Sequence, residues 1–154
     1  RSYRGRSDAC RVLRHPLQAD IGQTENHMQT SLDQFCINVS DLERSVRFYE
    51  QALGLTVTHR IELPNVSEVV LAGDGGGRIQ LAHQHEHRGP IDHGNALWKF
   101  YVNTDDCAGL YERAIAAGAD AGSPPMRLEQ WPVTVAFIRD PDGYHIELVE
   151  THAD

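Results

Sequence analysis

The sequence predicts an α+β domain built from two βαβββ modules, at about residues 34–84 and 97–150 of 154. Three observations predict it. The order strand, helix, three strands occurs twice along the chain. Each expected helix opens on an Asp or Ser cap and closes on a glycine, Gly54 in one and Gly118 in the other. The strands that follow are divided by turn chemistry, notably Asp74-Gly75-Gly76-Gly77 and Asp140-Pro141-Asp142-Gly143.

In chain order, residues 1–30 show no sustained helical or strand period. Arg1, Arg4, Arg6, Arg11 and Arg14 make this stretch basic, and it reads as a peripheral leader or extension ahead of a single domain at 31–154. Gln34 to Val39 reads as the first strand, with Phe35, Ile37 and Val39 on one face and Gln34, Cys36 and Asn38 on the other. Ser40 or Asp41 caps the next helix, in which Leu42, Val46, Phe48, Tyr49 and Leu53 recur as an apolar stripe. Strands are expected at about Thr56–Glu62, Val66–Ala72 and Arg78–Ala82. Gly75 to Gly77 precede a strand rather than a helix, so they form a turn and not a phosphate cradle. In the third of these strands Ile79 and Leu81 face the core, and Gln80 faces away.

The second module repeats the pattern. Trp98 to Thr104 reads as a strand with Trp98, Phe100 and Val102 toward the core, alternating with Lys99, Tyr101 and Asn103. Asp105-Asp106 caps a helix that carries Leu110, Ala114, Ile115 and Ala117 inward. A short strand near 120–123, the Pro124-Pro125 break, a strand at Glu129–Ile138 and a closing strand at Tyr144–Glu150 complete it. In the closing strand Ile146 and Leu148 alternate with His145, Glu147 and Val149. A carboxylate facing inward on a strand is costly to bury unless it is paired, metal-bound or catalytic. The plain alternative is an ordinary solvated strand face.

Composition excludes several classes of function. No apolar run is long enough to span a membrane, and nothing resembles a secretory h-region. Three widely spaced cysteines (Cys10, Cys36 and Cys107) make no disulfide framework, which points to reduced thiols and a cytoplasmic protein. Cys36 and Cys107 read as packing residues rather than nucleophiles. The formal charge is −8, and the basic start of the chain makes the remainder more acidic still. Neither nucleic acid nor a membrane is an expected partner.

Two segments carry a family resemblance. Val39-Ser40-Asp41-Leu42-Glu43-Arg44-Ser45-Val46-Arg47-Phe48-Tyr49-Glu50-Gln51-Ala52-Leu53-Gly54-Leu55 resembles a first-helix signature, V-x-D-L-x-x-S-x-x-F-Y-x-x-x-L-G-L. Asp140-Pro141-Asp142-Gly143-Tyr144-His145-Ile146-Glu147-Leu148-Val149-Glu150 resembles the closing hairpin of the same group. That group is the vicinal-oxygen-chelate superfamily, which includes glyoxalase I, the bleomycin-resistance proteins, fosfomycin-resistance enzymes and extradiol dioxygenases. The resemblance runs from about Gln34 to Glu150. It implies a curved, half-open sheet with a concave ligand cup, and modules that pair in a homodimer.

The resemblance also implies four metal-ligand positions, on the first and last strands of each module. They fall here on Gln34, Gln80, Lys99 and Glu147, where His or Gln, Glu or His, His, and Glu are usual. Carboxamides are weak neutral ligands and a protonated Lys is a competing cation, so Glu147 is the one strong donor. No metal cofactor is therefore expected, and a divalent metal is the less favoured alternative. Lys99 and Glu147 are expected to pair on the cup surface, as a plain structural ion pair or as a functional one. A Lys desolvated there with a lowered pKa would permit base or Schiff-base chemistry.

Two functions follow. The first is binding of a small organic molecule in the cup without the metal, with Gln34, Asn38, Gln80, Gln84, Tyr101, Trp131 and His145 as ligand-binding candidates. The second is an enzyme of lyase, isomerase or dioxygenase type, using Glu147 and Lys99 as catalytic residues or a non-standard metal site. Asn38 and Gln84 stand where glyoxalase I grips glutathione with Arg and Asn, which argues against lactoylglutathione chemistry. His83, His85 and His87 share a strand face and have metal-ligand character, but they lie on the side of Ile79 and Leu81. An exposed polar loop is the favoured account of them.

Overall fold

The alternating and helical patterns become β1 (Gln34–Asn38), α1 (Leu42–Leu53), β2 (Thr56–Glu62), β3 (Val66–Ala72) and β4 (Arg78–Gln84) in the first module. The second contains β5 (Phe100–Thr104), α2 (Cys107–Ala116), β6 (Asp120–Ala121), β7 (Met126–Arg127), β8 (Val133–Arg139) and β9 (His145–Thr151). The computed structural model describes residues 30–153. Residues 1–29, which hold nearly all of the expected leader and Cys10, lie outside the described residues. Among the described residues, no helix is long and apolar enough to cross a membrane.

Each module folds its strands into one sheet by the same device. The first sheet has the order β1-β4-β3-β2, and the second β5-β9-β8-β6 with β7 also on β8. In both, the first strand lies parallel to the last (β1 on β4, β5 on β9), while the hairpin-connected strands are antiparallel. The helix that follows each first strand is the crossover a parallel pair requires. The second module breaks where the first has the long β2. Pro124 and Pro125 cannot donate to a ladder, so the edge divides into the two-residue β6 and β7. The strand expected from Glu129 starts at Val133 for the same local reason: Trp131-Pro132 forms a bend.

The helix ends obey the expected chemistry. Asp41 caps α1 by accepting from the Arg44 amide at 2.9 Å, and Asp106 caps α2 by accepting from the Gly109 amide at 2.8 Å. Gly54 closes α1 at φ 70°, its N–H bonded to the Glu50 carbonyl. One core spans both modules. Ile37, Val46, Phe48, Tyr49, Leu71 and Leu81 join Leu110, Ala114, Ile138, Ile146 and Leu148 in a single buried cluster.

Three expected core or packing residues lie outside it. Trp98 is 78% exposed, because the strand begins at Phe100 and no ladder carries the alternation back to residue 98. Phe35 is 42% exposed and instead packs on Phe100, with ring centroids 5.2 Å apart. Cys36 is exposed on the polar face of β1, whereas Cys107 is fully buried. Desolvation, and secondarily the Glu68 carboxylate, push the Cys36 thiol pKa upward, so it is held protonated.

The β8–β9 turn ties the two modules together. Asp142, its side chain 2% exposed, accepts from the Ser40 amide at 3.2 Å, from Ser45 Oγ at 3.1 Å, from Ser40 Oγ, and from Arg44 Nη2 at 2.8 Å. Asp140 accepts from Tyr49 Oη at 2.8 Å and from the amides of Asp142 and Tyr144 at 3.0 and 2.9 Å. Tyr144 Oη donates to the Asn38 carbonyl at 2.8 Å. His93, from the β4–β5 connection, packs edge-on against Tyr144 and lies 2.8 Å from the Asp142 carbonyl. The serines and Arg44 of one signature thus satisfy Asp142 of the other, and Tyr49 of the first donates to Asp140.

This network makes two predictions. Asp142→Ala leaves Ser45 and the Ser40 amide without an acceptor in a buried place and should cost about 2–4 kcal/mol in urea denaturation; a loss below about 0.5 kcal/mol would remove its structural role. The second concerns alkali. Burial pushes the Tyr144 phenol up to about 12, and Tyr49 well above its usual value. Both phenols ionise more readily in the unfolded chain, so their contribution is complete below about pH 10; that of Tyr144 is lost as pH rises through about 12, and that of Tyr49 only at its own strongly raised pKa. Thermal midpoints measured across that window should fall, and Tyr144→Phe should flatten the fall.

Candidate functional site

The face that alternates with the core residues carries the polar side chains of both sheets. In the first sheet Cys36 stands opposite Gln80, and Gln34 lies two residues before Cys36. In the second Tyr101 stands opposite Glu147, and Lys99 lies two residues before Tyr101. The same parallel register therefore relates Gln34 to Gln80 and Lys99 to Glu147. Each pair is bonded. Gln34 Nε2 donates to Gln80 Oε1 at 2.7 Å, and Lys99 Nζ donates to Glu147 Oε2.

The two pairs differ in setting. Around the amides the surface is polar, with Gln84 Nε2 bonded weakly to Asn38 Oδ1 at 3.4 Å. Around the ions it is aromatic and largely closed, the Lys99 and Glu147 side chains being 13% and 11% exposed. Lys99 Nζ lies 4.2 Å from the Trp98 ring centroid, 5.0 Å from that of Tyr101 and 5.3 Å from that of Phe137. Phe137, Glu147 and Tyr101 form one cross-strand row over β8, β9 and β5.

This setting reverses one sequence expectation. The Lys99 pKa is raised, first by the hydrogen bond to Glu147, which outweighs the opposing effect of desolvation. A lysine held protonated in this way is a poor base and a poor Schiff-base amine. The four-position donor set also suits a metal badly. Two amides bonded to each other and a carboxylate bonded to an ammonium leave one strong donor, already engaged. Among the described residues, no three His, Cys, Asp or Glu side chains gather as a ligand set.

The remaining candidates separate. Gln34 and Tyr101 both line a cleft of about 610 Å³ where the first strands of the two sheets come close, together with Phe35, Arg78, Phe100 and Asn103. His145 is exposed on β9, two residues from Glu147. Trp131 is 61% exposed, and among the described residues the rings over the Lys99 ammonium are Trp98, Tyr101 and Phe137, without Trp131. The histidine run disperses, and β4 extends two residues beyond its expected end, through His83 and Gln84. His83 Nδ1 lies 3.1 Å from the Val39 carbonyl, His85 Nε2 2.8 Å from Ser67 Oγ, and His87 Nε2 2.8 Å from the Gly89 carbonyl. A smaller hollow of about 350 Å³, walled by Leu42, Arg60 and His83, holds none of the paired residues.

Two of the three rings, Trp98 and Phe137, are not marked as site residues by the sequence pattern of their own segments. The hairpin turn offers a signal for Phe137: counting back from Asp-Pro-Asp-Gly places it opposite Glu147. A signal for Lys99 lies in the composition, because it is the only lysine in the sequence and every other one of the 14 basic residues is Arg.

Comparison with known proteins agrees with this architecture. Residues 31–148 match the model of the Glyoxalase/Bleomycin resistance protein/Dioxygenase superfamily. A lactoylglutathione lyase of Haemophilus influenzae is 27% identical over 119 residues, covering 74% of this chain and 87% of that protein. A probable lactoylglutathione lyase of Synechocystis is 29% identical over 121 residues, covering 75% and 91%. Among solved structures, glyoxalase I from Zea mays superposes with a TM-score of 0.71 at 23% identity; the match covers 79% of this chain but only 44% of the maize chain. A glyoxylase/bleomycin resistance protein/dioxygenase domain from Frankia superposes with a TM-score of 0.71 at 21% identity, over 81% of this chain and 100% of that domain. The fold, the paired modules and the match over most of its length make this chain a member of the glyoxalase/bleomycin resistance protein/dioxygenase superfamily.

Proposed function

We propose that this chain binds a small organic molecule on the sheet face around Lys99 and Glu147, without the metal its resemblance implies. One observation carries the proposal: the ammonium of the only lysine is bonded to Glu147, the single strong donor of the four positions. A cation is thus already supplied by the chain, and a divalent ion would have to displace it. A pair this deep contributes little net stability, because desolvation offsets the attraction, so it is better explained by what it orients than by what it holds together. The exposed Tyr101 and Trp98, and the adjoining cleft, offer apolar surface to a ligand body. Gln34, Gln80, Asn38 and Gln84 provide amide donors and acceptors on the neighbouring sheet. We include a homodimer in the proposal, to be read by light scattering after gel filtration.

A second reading is favoured by the names of the relatives, lactoylglutathione lyases among them. It makes the chain an enzyme with a remodelled site in which Glu147 and Lys99 act together. The two readings separate on turnover: a binder returns its ligand unchanged.

Metal content decides the first point. Protein purified without chelators and challenged with Zn(II), Ni(II), Mn(II) and Fe(II) should hold no stoichiometric metal by elemental analysis and show no thermal shift. One ion per chain, lost in Glu147→Gln, would overturn the metal-independent proposal. Lys99→Met should keep the circular dichroism of the native protein and lose about 2–3 kcal/mol, since Glu147 is left unpaired in a nearly closed place. The double variant Lys99→Met, Glu147→Gln should recover part of that loss, and the cycle should give a coupling above about 1 kcal/mol. Complete unfolding of Lys99→Met would make the pair structural and remove the site.

A further inference from the structure

The surroundings of Lys99 Nζ are a complete recognition site for an ammonium group. Three aromatic rings face it with centroids at 4.2, 5.0 and 5.3 Å, and the Glu147 carboxylate closes the remaining side. Aromatic faces attract cations through their quadrupoles, and the attraction strengthens as water is excluded. None of these four groups needs the cation to be a lysine. They act on its charge and size, which any alkylammonium shares.

Lys99 is placed differently from Tyr101, Phe137 and Glu147 of its cage. Phe137 and Glu147 lie within hydrogen-bonded strands β8 and β9, and Tyr101 lies within β5. Lys99 precedes β5 and has no ladder partner, and the connection from 88 to 99 contains no helix or strand. Three of the four cage groups are therefore built on the sheet, while Lys99 and the fourth, Trp98, sit side by side at the end of a loop.

We propose that Trp98, Tyr101, Phe137 and Glu147 form an organic-cation subsite in which Lys99 is a tethered resident, displaced by a ligand bearing an amine or quaternary ammonium on an apolar body. This rests on the metal-independent function proposed above, since a metal on Glu147 would compete for the same carboxylate. Lys99 pays no translational cost to occupy the cage, so a bare small cation competes poorly with it. A ligand that also covers Tyr101 and the adjoining cleft gains the apolar contact that Lys99 lacks.

Removing the resident tests the cage directly. n-Butylammonium reproduces the four carbons and the ammonium of the Lys99 side chain. Lys99→Ala should bind n-butylammonium saturably in calorimetry, at least about tenfold more tightly than it binds 1-butanol, with a rise in thermal midpoint. Glu147→Gln in the Lys99→Ala background should abolish the preference. A folded Lys99→Ala that binds neither, or binds both alike, overturns the proposal.

Should Lys99→Ala fail to fold, the wild-type protein decides. Benzyltrimethylammonium, which cannot itself be acylated, should release Lys99 and raise its acylation rate by an N-hydroxysuccinimide ester at least about threefold over sodium chloride of equal ionic strength. The only lysine makes the modified peptide unambiguous in mass spectrometry. An unchanged rate overturns the proposal. A parallel Zn(II) titration of wild-type protein separates the two ideas: stoichiometric zinc on Glu147 defeats the metal-independent function, whereas no zinc and no ammonium binding defeats only the subsite.

Discussion

The carboxylate of Asp142, buried against the start of α1, is the interaction on which the rest of the molecule depends. It accepts from Ser40, Ser45 and Arg44, which lie about a hundred residues earlier, while Asp140 beside it accepts from Tyr49 of the same helix. A charge so far from water is tolerable only when its acceptor positions are filled, and here they are filled by the other module. The hairpin is thereby fixed against the first helix, and β9 leaves the turn in a set direction. Glu147 stands four residues beyond Gly143, so its position is a consequence of this anchorage.

The two sheets share one plan, and the contrast between their equivalent pairs explains the character of the site. In the first, two amides satisfy each other in a polar surface that water can reach. In the second, an ammonium and a carboxylate meet among three rings. Aromatic neighbours exclude water from the pair and also supply part of what water would have given the cation. The hydrogen bond to Glu147 outweighs the desolvation, which is why a nearly closed lysine stays charged, with its pKa moved up rather than down. An ion pair placed in this way stabilises the fold modestly and defines the chemistry of the face strongly.

The fold was largely legible in the residues. Strand alternation, glycine after each helix and the Asp-rich turn chemistry placed β2 and β3 at their observed bounds and set both caps. These are local effects, governed by backbone conformations and by the side chains next to them. The pairing of Lys99 with Glu147 was legible through the resemblance, which places both at metal-ligand positions of one module, and the parallel register of each sheet accounts for it. Alternation failed for Trp98, since it holds only where a ladder enforces it, and residue 98 lies outside β5.

The sequence by itself determined the α+β class, the two modules, the core-facing residues of the central strands and the identity of the charged pair. The tertiary structure alone decided three things. It packed Phe35 on Phe100 between modules, gathered Trp98, Tyr101 and Phe137 over one ammonium, and made the lysine a firmer cation instead of a base. The reason is physical: a pKa and an aromatic cage depend on groups from several strands meeting at a few ångströms. Side-chain periodicity within one strand carries no information about that distance.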